Sequence, residues 1–339
     1  MFKAALQLWQ YRLLLAFKRS SIKGFTLLEL LIAVTISSIV VSGLLYLVVE
    51  LLRIDSRETA LEEVQRDTQR AMNYMVDELR EAVYVYSTPG TITTPNTIAN
   101  SVTGVGAALP SGSVPILAFW KASPISAGNM PSGACSTTFS GSAAKISACE
   151  ALKIRRASYD LVVYSQISGP ARPWKGKSRI VRYVLKQYED ARTLQETIGY
   201  VNPGIDRFTV DSFKDWVKGA GTLPSNRSAV LVDYIDARLT TGAPIDCNAL
   251  TGSPGYLSSP PNAVTGTSFF ACIRDTDTQS DDRQREGQFS RSNQDVYLFL
   301  RGDASVRSSS LSPASDASRS PTLQTQVLIR GIINKSPTN

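Results

Sequence analysis

One apolar segment constrains this chain more than any other feature. Residues 30–49 read LLIAVTISSIVVSGLLYLVV and contain no charged side chain. A helix rises about 1.5 Å per residue, so a helix of this length spans the ~30 Å hydrocarbon core of a bilayer. The segment therefore predicts a single transmembrane helix close to the N-terminus.

The distribution of charge gives this helix a direction. Residues 1–24 hold five basic side chains and no acidic one, and they account for most of the formal net charge of +7. Under the positive-inside rule this end stays in the cytoplasm, so the rest of the chain faces outward from the inner membrane. Because little excess charge remains in the body, the sequence gives no support for a nucleic-acid partner.

The composition also limits the chemistry that the chain can perform. Histidine is absent from all 339 residues, which excludes Ser-His-Asp and Cys-His catalysis and the common zinc sites that contain histidine. The sequence contains no Gly-rich phosphate loop and no GxSxG motif. We therefore predict a protein that is not an enzyme, with no catalytic residues, no resident metal and no cofactor.

The junction between the basic and apolar segments carries a specific motif. Residues 23–31 read KGFTLLELL, which resembles the class III signal of type IV pilins and type II secretion pseudopilins. The resemblance implies that prepilin peptidase cleaves between Gly24 and Phe25 and that the new amine of Phe25 is methylated. The apolar helix would then stay in the mature subunit. The alternative is an anchor that is never cleaved.

The resemblance also implies a role for Glu29, the fifth residue after the predicted cleavage site. A carboxylate at the edge of a membrane helix is costly unless it is paired. In the family its partner is the N-terminal amine of an adjacent subunit, so Glu29 is expected to act in assembly. In the alternative, an uncleaved anchor, this carboxylate reaches the lipid headgroups.

Beyond the membrane segment the apolar pattern keeps a helical period. With no proline between residue 25 and Pro89, one helix is expected to run from Phe25 to about Tyr86. The predicted organisation is a cytoplasmic leader, a transmembrane half-helix, an amphipathic half-helix and an extracytoplasmic body with a Ser-rich loop. These parts cover residues 1–24, 25–52, 53–88, 89–339 and, for the loop, 305–320. The amphipathic stripe comprises Ile54, Leu61, Val64, Thr68, Ala71, Met72, Met75, Leu79 and Ala82.

The body contains short β-type runs separated by turn-rich segments, which indicates an antiparallel sheet covered by the helix stripe. The predicted fold class is therefore α+β: a pilin-like long N-terminal helix packed on an antiparallel sheet with long loop insertions. Several body segments resemble large minor pilins and pseudopilins of the J/W type. The combination of a long leader, GFTLLELL at residues 24–31 and DELREAVYVY at residues 77–86 is similar to the hormogonium polysaccharide secretion pseudopilin C family of filamentous cyanobacteria. The runs are residues 114–120, 159–167, 179–187, 229–235, 268–273, 296–301 and 326–333.

All four cysteines, Cys135, Cys149, Cys247 and Cys272, follow the membrane segment. Export to an oxidising space favours two structural disulfides, with free buried thiols as the alternative. Among the three possible connectivities we expect the sequential pairs, because Cys135 and Cys149 enclose a short loop and Cys247 and Cys272 a longer one.

Three further patterns suggest additional sites. A cluster of aspartates is a candidate calcium site, although the glycine of an EF-hand loop is missing from its spacing. Arg301, Gly302 and Asp303 match an adhesion tripeptide but are expected to turn the chain at a strand end. Basic and aromatic residues between positions 120 and 177 are candidates for contact with an acidic polysaccharide. The aspartates are Asp275, Asp277, Asp281 and Asp282, and the basic and aromatic set is Lys121, Lys145, Lys153, Arg155, Arg156, Arg172, Lys175, Lys177, Trp120, Tyr159 and Trp174.

These observations predict a structural minor pilin or pseudopilin subunit of a type IV pilus-like or type II secretion-like filament. The resemblance implies other pilins, the inner-membrane assembly platform, the membrane and a secreted polysaccharide as further partners. It also implies a periplasmic or surface filament that supports polysaccharide secretion and gliding motility. The alternative is a monomeric, membrane-anchored envelope protein that binds glycans or acts as an enzyme.

Overall fold

A computed structural model of the chain describes residues 24–87, 105–169, 172–203, 213, 216–237, 241–275, 294–307 and 320–329. The chain divides into two compact units, residues 1–55 and 56–339. Three predictions fall outside the described residues: the leader before Gly24, most of the Ser-rich loop, and three of the four aspartates of the calcium candidate.

The long helix α1 spans Leu27–Arg80. The stripe expected from the sequence is buried in the second unit, where Met75 and Leu79 are completely inaccessible to solvent. Ile54, the first residue of the predicted stripe, is not buried: it is 46% exposed. The helix also ends earlier than expected: Ala82–Val85 forms strand β1. Its residues are mostly β-branched or aromatic, and they pair with the next strand along the chain instead of extending α1.

The body contains two main antiparallel sheets, whereas the sequence indicated one. The strands that follow β1 are β2 Ser113–Pro124, β3 Ala157–Ser168, β4 Ser178–Leu185, β5 Tyr188–Asp190, β6 Gln195–Glu196, β7 Ser228–Ile235, β8 Tyr256–Ser259, β9 Phe269–Arg274, β10 Asp295–Leu300 and β11 Leu323–Leu328. The first sheet has the strand order β1-β2-β3-β4-β7, the second has the order β11-β10-β9-β8, and β5 and β6 form a separate hairpin. Each of the seven β-type runs overlaps a strand, although residues 330–333 of the last run lie outside the described residues, and the α+β class is confirmed.

In the described part of the body, the connections contain the α-helices α2 Val105–Ala108, α3 Cys135–Thr138, α4 Ala143–Arg155 and α5 Cys247–Thr251. Helix α4 is capped by the Ser142 hydroxyl, which accepts a hydrogen bond from the amide of Lys145. Helix α5 is capped in the same way by Asp246. The sequence analysis did not identify these helices. Three of them are only four or five residues long, and α4 buries only Cys149 and Leu152, so none has a clear apolar period.

The main core joins α1 to both sheets. Met72, Met75 and Leu79 of the helix belong to one apolar cluster with Ile116 of the first sheet and Leu298 of the second. A second cluster covers the opposite face of the first sheet and is centred on Trp120, which is completely buried. The amphipathic part of α1 therefore forms part of the body's core.

The structure pairs Cys135 with Cys149 and Cys247 with Cys272, at Cα–Cα distances of 5.8 and 5.5 Å. These are the sequential pairs expected from the sequence. The first links α3 to α4, and the second links α5 to β9.

Replacing both cysteines of either pair by serine is expected to lower the free energy of unfolding by about 2 to 4 kcal/mol, because the unfolded chain regains freedom. The two losses should be similar, since stabilisation grows only slowly with loop length. Denaturant titration of the full chain in detergent measures the effect. Peptide mapping without reductant that links Cys149 to Cys247 would contradict the pairing.

Candidate functional site

The start of α1 is defined by Thr26. The Thr26 carbonyl accepts the first helical hydrogen bond from the amide of Leu30, at 3.2 Å. The Glu29 amide donates to the Thr26 hydroxyl at 3.3 Å. Thr26 is thus the N-cap of α1, and Glu29 stands at the third helical position, as in a capping box. Gly24 and Phe25 therefore precede the helix.

Gly24 is not required by the fold. A Cβ atom built on Gly24 would meet no heavy atom within 4 Å, and its backbone does not occupy the left-handed region that favours glycine. Gly302 is different, because a Cβ there would collide with the Val64 side chain of α1. Among the described residues, no contact and no backbone conformation requires glycine at position 24.

Phe25 and Glu29, the other two predicted site residues, lie on the surface of the chain. Phe25 is 79% exposed, and Glu29 is also exposed. Within the described residues the Glu29 carboxylate forms no ion pair. Any partner for its charge must therefore come from outside this part of the chain. The cleavage, methylation and assembly roles of Gly24, Phe25 and Glu29 remain predictions.

The part of α1 that follows Glu29 presents apolar side chains around its whole circumference. Leu31, Ile39 and Leu47 are each more than half exposed. Among the described residues this is the one helix long and apolar enough to cross a membrane, and its most apolar 18-residue segment has no buried residue. A helix that is apolar all round needs an apolar environment, either lipid or neighbouring helices.

A buried carboxylate with several charged and polar partners lies near the C-terminal end of α1. Glu78 is 7% exposed and accepts hydrogen bonds from Arg182 Nε and Nη2 at 2.7 and 2.6 Å and from the Tyr164 hydroxyl at 2.5 Å. Lys121 Nζ lies 2.8 Å from the same carboxylate. Through these partners Glu78 fastens α1 to β2, β3 and β4.

The partners also determine the charge state of this cluster. Burial by itself would raise the pKa of Glu78, but the hydrogen bonds from Arg182, Lys121 and Tyr164 lower that pKa to about 2. Burial, together with the charge of Glu78, raises the pKa of Tyr164 far above its ordinary value. Glu78 is therefore ionised and Tyr164 neutral at physiological pH. The charges and hydrogen bonds of these four groups are satisfied within the cluster, which also includes Glu81 at 3.3 Å from Lys121 Nζ.

Sequence reasoning missed both Thr26 and Glu78. The pattern Thr-x-x-Glu before an apolar run is a capping signal and could have identified Thr26. Glu78 carries no such signal, because its partners Lys121, Tyr164 and Arg182 lie on three strands far along the sequence.

The basic and aromatic residues proposed for polysaccharide contact do not form one surface. Trp120 is completely buried, Lys121 is paired with Glu78, and Lys177 forms an ion pair with Asp303 at 2.7 Å. Trp120 therefore cannot line an external groove, and Lys121 and Lys177 are used in ion pairs within the body. For the other residues of the set, contact with a polysaccharide stays a prediction.

The adhesion tripeptide is also used inside the body. Asp303 is 2% exposed, and Arg301 forms an ion pair at 2.8 Å. The tripeptide is therefore structural: it ends β10 and attaches this segment to α1. Arg301, Gly302 and Asp303 contact Asp236, Val64 and Lys177, respectively.

Of the calcium candidate, only Asp275 lies among the described residues. It is 9% exposed, and its amide donates to the Gly255 carbonyl at 2.8 Å. Asp277, Asp281 and Asp282 lie outside the described residues. Within the described part of the chain, no group of three or more acidic or cysteine side chains is placed to hold a metal ion.

Comparison with known proteins gives one match. Residues 19–45 match the family model of the prokaryotic N-terminal methylation motif. No curated protein and no solved structure is detectably similar to the chain. The match surrounds Gly24, Phe25 and Glu29, and it supports a type IV pilin-type subunit, a structural class that is processed by prepilin peptidase and assembles with other pilins. Together with the exposed apolar helix, it is consistent with a single-pass inner-membrane anchor.

Proposed function

We propose that the chain is a minor pilin or pseudopilin that is cleaved between Gly24 and Phe25, methylated on Phe25 and added to a pilus-like filament. The apolar half of α1 holds the subunit in the inner membrane before assembly, and the body lies on the extracytoplasmic side. The filament supports polysaccharide secretion and gliding motility, as in the cyanobacterial pseudopilin family that the sequence resembles.

The start of α1 is the observation that carries this proposal. The motif match coincides with a glycine that the fold does not need and with a helix whose cap leaves the Gly24–Phe25 bond outside it. An exposed, non-helical peptide bond is accessible to a peptidase. Once the leader is removed, the exposed apolar surface of α1 can pack against the corresponding helices of other subunits.

Mass spectrometry of the protein from the membrane and filament fractions tests the proposal. We expect a mature N-terminus at Phe25 that carries one additional methyl group, and copurification with other pilin-like chains. A protein that retains Met1 to Gly24 and stays monomeric would support the alternative, an anchored glycan-binding protein or enzyme.

Glu29→Ala is expected to leave cleavage and folding of the body intact but to lower incorporation into filaments at least about tenfold. A buried charge that loses its partner costs several kcal/mol, and here the unpaired group would be the amine of a neighbouring subunit. The processed variant should accumulate in the membrane. Quantitative immunoblotting of membrane and filament fractions measures the ratio.

Two variants separate charge from other effects. Glu29→Gln keeps a side chain that can complete the capping box at Thr26 but removes the charge, so it should fail as Glu29→Ala does. Glu58→Ala removes another exposed glutamate of α1 and should assemble normally. Normal incorporation of the Glu29→Gln protein would refute the charge role of Glu29.

A further inference from the structure

A groove of ≈ 620 Å³ lies in the body between α1 and strand β7. Asp67, Arg70 and Tyr74 of α1 line one side, and five consecutive residues of β7, 230–234, line the other. Trp174 of the β3–β4 connection closes one flank. The groove therefore follows the length of a strand instead of forming a compact pocket.

Strand β7 is an edge strand. One side of it pairs with β4, and the other side is paired only at its C-terminal end, where Ile235 bridges Gly302 and the Asp303 amide donates to the Tyr234 carbonyl. Over residues 228–233 no described residue forms a backbone hydrogen bond on that second side. An edge with unpaired amides and carbonyls is a template for another strand.

The acidic and basic side chains that line the groove differ in whether they have partners. Asp67 pairs with Arg307 at 3.3 Å. Asp233 Oδ2 accepts hydrogen bonds from the backbone amides of Lys175 and Gly176 at 3.0 Å, while Asp233 Oδ1 is buried without a hydrogen-bond partner among the described residues. The side chains of Arg70 and Lys175 contact no acidic group among the described residues. The lining thus has three basic side chains, Arg70, Lys175 and Arg307, against the two carboxylates, and this positive excess favours an acidic ligand.

We propose that this groove binds an extended acidic peptide segment of another protein chain, which adds to the free edge of β7 as a further strand. Backbone hydrogen bonds to residues 228–233 would supply affinity, and Arg70 and Lys175 would select carboxylates. Tyr74 and Trp174, which are 45% and 38% exposed, offer apolar surface to the alternate side chains of such a strand. The inference does not depend on processing at Gly24.

The test uses the full chain in detergent and synthetic peptides of about eight residues, a usual strand length. The acidic probe alternates threonine with glutamate, and matched probes carry lysine or glutamine in place of glutamate. Fluorescence anisotropy gives the dissociation constants. We expect the acidic peptide to bind at least about tenfold more tightly than the lysine peptide. Hydrogen exchange of the amides of residues 228–233 should slow when the acidic peptide is bound.

Matched variants locate the effect. The double variant Arg70→Ala, Lys175→Ala should weaken acidic-peptide binding about tenfold. The control is the double variant Lys145→Ala, Lys186→Ala, which removes two exposed cations that do not line the groove and should leave binding unchanged.

A methylated probe tests strand addition. Methylation of alternate peptide nitrogens removes the N–H donors that would pair with β7, so it should abolish binding. Equal binding of the methylated probe would overturn strand addition. Tighter binding of polygalacturonate at the same residues, or no binding of the acidic peptide, would also overturn the proposal.

Discussion

Gly24→Val is expected to leave the leader attached, with cleavage slowed by about 100-fold or more. A peptidase that brings its catalytic groups against this backbone has no room for a branched side chain, and small displacements of a scissile bond are enough for losses of this size. The folded chain itself should not respond, because a Cβ at position 24 has no neighbour within 4 Å. Mass spectrometry of the membrane fraction would detect the uncleaved precursor.

Gly43 supplies the matched control for this experiment. It lies in the apolar part of α1, and a Cβ there also meets no heavy atom within 4 Å. Gly43→Val should therefore be cleaved at the normal rate. If Gly24→Val were processed like Gly43→Val, the assignment of Gly24 to the cleavage site would be wrong.

Glu78→Gln is expected to lower the free energy of unfolding of the body by about 3 to 5 kcal/mol. The substitution leaves Arg182 and Lys121 partly buried beside a neutral amide, and breaking a buried ion pair from one side is strongly destabilising. Denaturant titration of the full chain in detergent, followed by the fluorescence of the buried Trp120, measures the change.

Glu81 provides the comparison for Glu78. Its side chain contacts the same Lys121 at 3.3 Å but is 60% exposed, so Glu81→Gln should cost about 1 kcal/mol or less. A loss for Glu78→Gln that is no larger than the loss for Glu81→Gln would show that burial of this network contributes nothing to stability.

The same network predicts how stability changes with pH. The pKa of Glu78 falls from an ordinary 4.5 to about 2 in the folded chain. A lowered pKa stabilises the fold above about pH 4.5, and this contribution of up to about 3 kcal/mol is lost as the pH falls toward 2. The unfolding midpoint should drop across this interval in the wild type, and the drop should be smaller in Glu78→Gln. Equal slopes in both proteins would contradict the assignment.

The features that could be predicted from the amino-acid sequence are local in the chain. The apolar run, the motif at Gly24 and Phe25 and the helical stripe up to Leu79 all depend on neighbours a few residues apart, which the 3.6-residue period relates directly. Each of the seven β-type runs overlaps a strand, because β-branched and aromatic residues between turn-rich segments are a local signal as well. The sequential cysteine pairs close loops with sequence separations of 14 and 25, so that export and spacing together were enough to favour the observed connectivity.

Which charged and aromatic residues stay available for binding depends on the folded arrangement of the strands and α1. Lys121, Arg182 and Tyr164 converge on Glu78 because three strands lie side by side under α1, and Asp303 of the adhesion-like tripeptide is buried beside Lys177. The division of the strands into two sheets and the open edge of β7 likewise depend on pairing between segments far apart in sequence. Such contacts have no periodic signal, because whether a side chain is paired or free depends on residues that only the folded backbone brings within hydrogen-bonding distance.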